Sequence, residues 1–211
     1  MCSPINPAEV TRRVRQFFST APPSTRDIIC YHARLNTEKV EMISEVTSSD
    51  FITTPTGTNN DATFVPVAAS PLADNGGTSL ETEGTIMSWI MCADSSLSAV
   101  PIGSSSDARV IEGVVDEGIL CFIIDALTSA HLSVVTEVCT HVSVSLDVEF
   151  LQSLTTECAF TLKSRVLRVG QRICFLSAEI YQFQSGKSVL CAKANHAKIF
   201  YRKGSQRTSK L

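Results

Sequence analysis

At 211 residues and a formal charge of -3, this chain is long enough for one domain with a substantial core, and its charge argues against general nucleic-acid binding. The balance is uneven: no Lys or Arg stands between Lys39 and Arg109, while 11 of the 18 lie from Lys163 to Lys210, so an anionic ligand is expected in the C-terminal half. The eight cysteines (Cys2, Cys30, Cys92, Cys121, Cys139, Cys158, Cys174, Cys191) occur singly with no CxxC pair, which argues against a zinc knuckle and reads as small buried thiols of a reducing compartment.

Residues 1–27 read as an N-terminal helix and linker. Pro7 suits a first turn, Glu9 suits the positive end of the helix, and Val10, Val14 and Phe17 or Phe18 share one face. Arg12, Arg13 and Arg15 ahead of Phe17-Phe18-Ser19-Thr20 also have the character of a mitochondrial presequence, so cytosol is the expected compartment and the mitochondrial matrix the alternative. Ile28–Asn36 and Lys39–Thr47 are predicted as two strands around Asn36-Thr37-Glu38. From 48 to 106, Ser, Thr, Gly, Asn and Pro dominate, and a largely disordered insertion is expected. Within it the island Ile86–Met91 is apolar enough to form a strand or to dock on the domain.

Order resumes near Arg109. Val110–Val115 reads as a short strand or extended lead, and Asp116 is placed to cap a helix. That helix, Gly118–Leu132, is apolar on nearly every face and belongs inside a protein. It carries one carboxylate, Asp125, which must be paired, lie at an interface or perform chemistry, because a lone buried charge costs several kcal/mol. Four strands should follow: Val142–Phe150, Glu157–Val169, Arg172–Phe183 and Ser188–Tyr201. In the first, Val142, Val144, Leu146, Val148 and Phe150 alternate with polar residues. Short Gly-containing connections at 169–171 and 184–187 suit hairpins. The basic tail 202–211 is expected to fray. No apolar run is judged long enough to cross a bilayer, which needs about 20 residues. The segments together predict an α+β domain from 28–47 plus 107–201, an antiparallel sheet wrapped around a central helix.

The helix start Gly113-Val114-Val115-Asp116-Glu117-Gly118, the strand Val142–Phe150, the hairpin Val169-Gly170-Gln171-Arg172 and the run from Ala178-Glu179-Ile180-Tyr181 to His196-Ala197-Lys198 resemble, in order and spacing, the hotdog-fold acyl-CoA thioesterases of the PaaI-like branch. The resemblance implies that Asp125 is the general base or nucleophile. It also implies that Gly118 offers its backbone N–H to the thioester carbonyl and that Ser143 orients water or the carboxylate, with Ser145 as the alternative if the register slips. Free N–H groups at a helix start favour an oxyanion, and a poorly hydrated carboxylate is a stronger base than one in water. Arg168, Arg172, Lys198 and Arg202 are candidates for the phosphates of coenzyme A, which would enter as part of the substrate and not as a bound cofactor. A homodimer or homotetramer is implied, since such a sheet leaves an edge exposed.

The chain departs from the family where His and the first Gly of a His-Gly-Gly sequence become Asp116 and Glu117. A carboxylate about 5 Å from an oxyanion repels it by roughly 3 kcal/mol at an effective dielectric near 20. Either Asp116 turns inward as a cap, or Glu117 takes over as base, or hydrolysis is lost and the protein is a scaffold or assembly subunit. A hydratase on the same fold is a third reading, and it lacks the usual His near the helix start. His131, His141 and His196 read as structural, and His32 beside Cys30 makes no metal site. No G-x-S-x-G elbow is present, and Gly186-Lys187-Ser188 falls in a hairpin without the leading glycine of a phosphate loop.

Overall fold

The structure is a computed structural model that describes residues 6–44, 83–99, 113–137 and 140–200. Helix α1 (Pro7–Thr20) starts from Asn6, whose side chain accepts the Ala8 N–H, and buries Val10, Val14 and Phe18, the stripe its spacing predicts. Instead of the expected strand at 28–36, the chain forms a short helix α2 (Pro23–Arg26) that continues as a π-helical turn over Asp27–His32. Pro23 at the first helical position is pre-set for this path, and Ile29 and Ala33, four residues apart, are both fully buried. Tertiary burial of that pair outweighs the strand preference of the Ile-Ile run.

Six strands form one antiparallel sheet: β1 (Glu41–Ser44), β2 (Thr85–Cys92), β3 (His141–Phe150), β4 (Ala159–Val169), β5 (Ile173–Gln184) and β6 (Lys187–Phe200), in the order β1-β2-β4-β5-β6-β3. The last four match the sequence reading to within about two residues. Strand β2 corrects it. The island at 86–91 lies between β1 and β4 and buries Met87, Trp89 and Met91, so the stretch 48–106 contains a strand of the domain itself. Residues 48–82, 100–106 and 202–211, including Arg202, lie outside the described residues.

Helix α3 (Glu117–Thr136) packs against β3, β4, β5 and β6, with α1 over its flank. Its 20 residues are long and apolar enough to cross a membrane, contrary to the sequence reading; what marks it as a core helix is that most of it is buried under the sheet. The chain therefore has the hotdog architecture, an antiparallel sheet around a central helix. Alternate residues of the strands form the inner face: Phe160, Leu162 and Val166, then Cys174, Leu176, Ala178 and Ile180, then Ala192 and Ala194.

Helix and sheet meet through three histidines, one on α3 and two on the strands. His131 is fully buried between Ser164 Oγ of β4 (2.9 Å) and Thr85 Oγ1 of β2 (3.1 Å), and the Trp89 indole N–H donates to the same Ser164. His141 of β3 meets Ser133, and His196 of β6 meets Thr128. Among the described residues each buried polar side-chain atom has a partner, as burial requires. Of the described cysteines all are free; Cys174 and Cys191 are buried, whereas Cys158 is exposed and the other three are partly so.

Strand β3 departs from strict alternation. Ser143 pairs with Lys198 and Ser145 with Ala197, so Val144 is an extra residue, a β-bulge. Residues 146, 148 and 150 pack on the core as expected, but Val142 and Val144 face out, 49% and 57% exposed, and the odd-numbered His141 and Ser143 turn toward the helix.

Candidate active site

Helix α3 begins where a turn at 113–116 is held by bridges to Ser98 and Thr155. Gly113 has φ +81°, a left-handed conformation that glycine adopts without cost. Asp116 is the N-cap, as expected, its carboxylate accepting the Ile119 N–H at 3.1 Å. Glu117 and Gly118 are the first two helical residues and are exposed. A Cβ at Gly118 would stand 3.0 Å from the Asp116 carboxylate, so that acid lies directly beside the glycine backbone.

Two turns further along, Asp125 projects from the helix at the place where β3 and β6 carry Ser143 and Lys198. Ser143 Oγ donates to Asp125 Oδ1 at 2.7 Å, and Lys198 Nζ donates to the same oxygen and to Ser143 Oγ, each at 2.9 Å. His196 Nε2 lies 3.0 Å from Ser143 Oγ and 3.2 Å from Asp125 Oδ1. Its other nitrogen meets Thr128 Oγ1 at 2.7 Å. The Thr128 hydroxyl in turn reaches the Ile124 carbonyl at 2.7 Å, one helical turn back. Because Ser143, Lys198 and His196 all meet Oδ1, the carboxylate can act through Oδ2.

Exposure divides the group into a support and a working end. The side chains of Lys198 and His196 are 2% and 0% exposed, while that of Asp125 is 44% exposed. Burial pushes the Asp125 carboxyl up, but the Lys198 ammonium and the hydrogen bonds from Ser143 and Lys198 outweigh it and hold it below the usual carboxylate range. Burial, with Lys198 adding to it, lowers His196 to about 4, so this imidazole is neutral at physiological pH. Burial also lowers Lys198, against the pull of Asp125. A half-exposed carboxylate braced by a buried ammonium, a hydroxyl and a neutral imidazole stays ionised and can attack a carbonyl or take a proton from water. It is a weaker base than a carboxylate in water, and not the stronger one that the resemblance implies.

The structure brings Asp125 and Ser143 together as the sequence implies, and Ser143 rather than Ser145 makes the contact. It corrects two readings. Lys198 is not a phosphate ligand: it is buried and its Nζ is engaged by Asp125 and Ser143. His196 belongs to the site and is more than a structural residue. The signal for both was present: inward positions 192, 194, 196 and 198 of β6 run Ala, Ala, His, Lys, two polar side chains where the face calls for apolar ones. Arg168 and Arg172 are exposed near the β4–β5 hairpin, and among the described residues neither contacts the Asp125 group. Gly118 and Glu117 are likewise apart from it, since seven residues of helix separate Gly118 from Asp125 by about 10 Å. No group of His, Cys, Asp or Glu that could hold a metal ion occurs among the described residues.

No protein-family model matches the chain, and no curated protein matches it in sequence. Solved structures do match. The crystal structure of zebra fish thioesterase superfamily member 2 aligns over 94% of this chain and 100% of its own, with TM-score 0.51 at 13% identity. A thioesterase family protein from Silicibacter pomeroyi aligns over 90% and 96%, with TM-score 0.50 at 13% identity. The chain shares the hotdog fold of these two structures.

Proposed function

We propose that the protein hydrolyses an acyl-CoA thioester to the free acid and coenzyme A, with Asp125 as the general base or nucleophile. The observation that carries this reading is the Asp125 carboxylate, half exposed on the central helix of a hotdog fold and anchored by Ser143 and Lys198 through one oxygen. Acting as base, Asp125 takes a proton from water as the water oxygen adds to the thioester carbon. The C–S bond then breaks and the thiolate leaves, to be protonated. Gly118 N–H is the proposed donor to the carbonyl oxygen. About 10 Å separates it from Asp125 in one chain, so the proposal includes a homodimer or dimer of dimers in which two copies supply the two halves of the site. Arg168 and Arg172, exposed near the β4–β5 hairpin, are the proposed partners of the phosphates of coenzyme A.

One observation favours a second reading, a non-catalytic hotdog scaffold. The Asp116 carboxylate already caps the helix start and sets a negative charge beside Gly118. One assay separates the two: purified protein and Asp125→Asn tested against an acyl-CoA chain-length series with free-thiol detection. Hydrolysis of some chain length, reduced at least about a hundredfold by Asp125→Asn, is expected. Absence of turnover with every chain length, together with retained coenzyme A binding, would establish the scaffold.

A further inference from the structure

We propose that Lys198 is a positioning residue of this site: its buried ammonium, shared between Asp125 and Ser143, keeps the carboxylate ionised in acid and sets the direction in which Ser143 aims its proton. The inference rests on the reading of Asp125 as the working carboxylate and adds the group that governs its charge. Lysines ordinarily run their stems along the surface and keep the ammonium in water. Lys198, 1% exposed, instead turns inward to the single carboxylate in the interior of α3. Burying an ammonium costs several kcal/mol unless it is paired and hydrogen-bonded. The buried ammonium therefore requires the carboxylate, whereas the half-exposed carboxylate also meets solvent.

Ser143 has one proton to give and two lone pairs to offer. Lys198 takes one lone pair. The proton is left to Asp125 Oδ1 at 2.7 Å or His196 Nε2 at 3.0 Å. Thr128 bears on which of these can accept. Its hydroxyl donates to the Ile124 carbonyl, so it accepts from His196 Nδ1, and the imidazole proton is assigned to Nδ1 with Nε2 as an acceptor. Ser143 is then a donor held between two acceptors with the ammonium behind it. Without Lys198 the hydroxyl keeps its two acceptors but loses the ammonium that fixes its lone pair.

The other titratable groups near the site do not supply the same charge. His196 of β6 and His141 of β3 are both lowered to about 4 by burial and are neutral. Cys174 of β5, opposite Lys198 in the ladder, is raised to about 11 by burial and stays a thiol. On α3 itself the nearest other acid is Glu117, two turns away. Arg13 of α1 goes to the Val134 carbonyl and Glu137. Among the described residues, Lys198 is the one cation in contact with Asp125.

The test is Lys198→Met, which removes the charge and keeps most of the stem. The side-chain carboxyl carbon of Asp125 is followed by NMR against pH in labelled full-length protein, a readout that needs no turnover, alongside the pH dependence of kcat/KM. Asp125 should titrate about one to three pH units higher in Lys198→Met than in the parent, with the acid limb of kcat/KM moving by the same amount. An unchanged titration overturns the proposal. A shifted titration without hydrolysis supports it and defeats the thioesterase reading instead. Should Lys198→Met fail to fold, the double variant Asp125→Asn/Lys198→Met must recover the fold, because it removes the stranded charge as well; failure of both overturns the proposal.

Discussion

Ser143 and Lys198 are cross-strand partners in the ladder between β3 and β6, and their side chains meet 2.9 Å apart over Asp125. The bulge at Val144 makes this possible. It allows Ser143 to face inward while Leu146, Val148 and Phe150 also face inward, which strict alternation forbids. Deleting Val144 should therefore be tolerated: 143 stays opposite 198, 145 opposite 197, and every inward residue keeps its face. The expected loss is below about 2 kcal/mol in denaturant unfolding. If β3 were a plain strand with its even-numbered residues inside, the same deletion would turn its C-terminal half over and unfold the domain.

Asp116 has two separable roles. As a cap its carboxylate accepts the Ile119 N–H, so Asp116→Ala should cost about 0.5–2 kcal/mol in thermal or denaturant unfolding. Asp116→Asn keeps the acceptor and removes the charge. Its stability should stay near that of the parent, and hydrolysis should rise, by up to about a hundredfold if the whole repulsion estimated above is relieved. A rate that falls in Asp116→Asn would show that the acid takes part in the reaction.

Acid should unfold the protein through its histidines. Burial lowers His131 to about 3 and His141 and His196 to about 4, against about 6.5 in an unfolded chain. The unfolded state then binds more protons than the folded state between those values. Stability is complete above about pH 6.5 and declines as pH falls toward 4 and then 3. Asp125, also lowered, adds a loss of the same sign at the acid end. Urea midpoints measured from pH 7 to pH 4 should fall steadily; a flat profile over that range would contradict neutral burial of these imidazoles.

Strand β2 should be indispensable. Met87→Ala removes a fully buried side chain from the sheet and is expected to cost about 2–5 kcal/mol. Trp89→Phe takes away the N–H that donates to Ser164, at about 1–3 kcal/mol. Both are read from guanidinium unfolding, and a loss near zero in either would mean that the strand is not part of the core.

What could be read in the chain follows from how local the signal is. The apolar helix with Asp125, the Asp116 cap and the four late strands are written in runs of ten or more residues, and each survives in the structure. For β2 the sequence shows only an apolar island that could form a strand or dock on the domain, because its eight residues sit among polar ones and a strand's value depends on distant partners, here β1 and β4. The Ile28–Asn36 error came from weighing β-branched residues above the prolines ahead of them. The site was half legible. Asp125 and Ser143 lie 18 residues apart and are met by resemblance, whereas Lys198 and His196 join through a bulge and a ladder that composition does not announce.

A rod that is greasy on almost every side has no preferred roll angle on hydrophobic grounds alone: rotating it by one residue trades one aliphatic contact for another. The contacts of His131, His141 and His196 lift that degeneracy, because each ties a fixed position of α3 to a fixed position of the sheet: His131 to Thr85 and Ser164, Ser133 to His141, and Thr128 to His196. Turning or sliding the rod would leave several buried nitrogens and hydroxyls dry at once, at about 1–3 kcal/mol apiece. The azimuth of Asp125, and with it the aim of its free oxygen, is thus indexed by polar contacts rather than by oil.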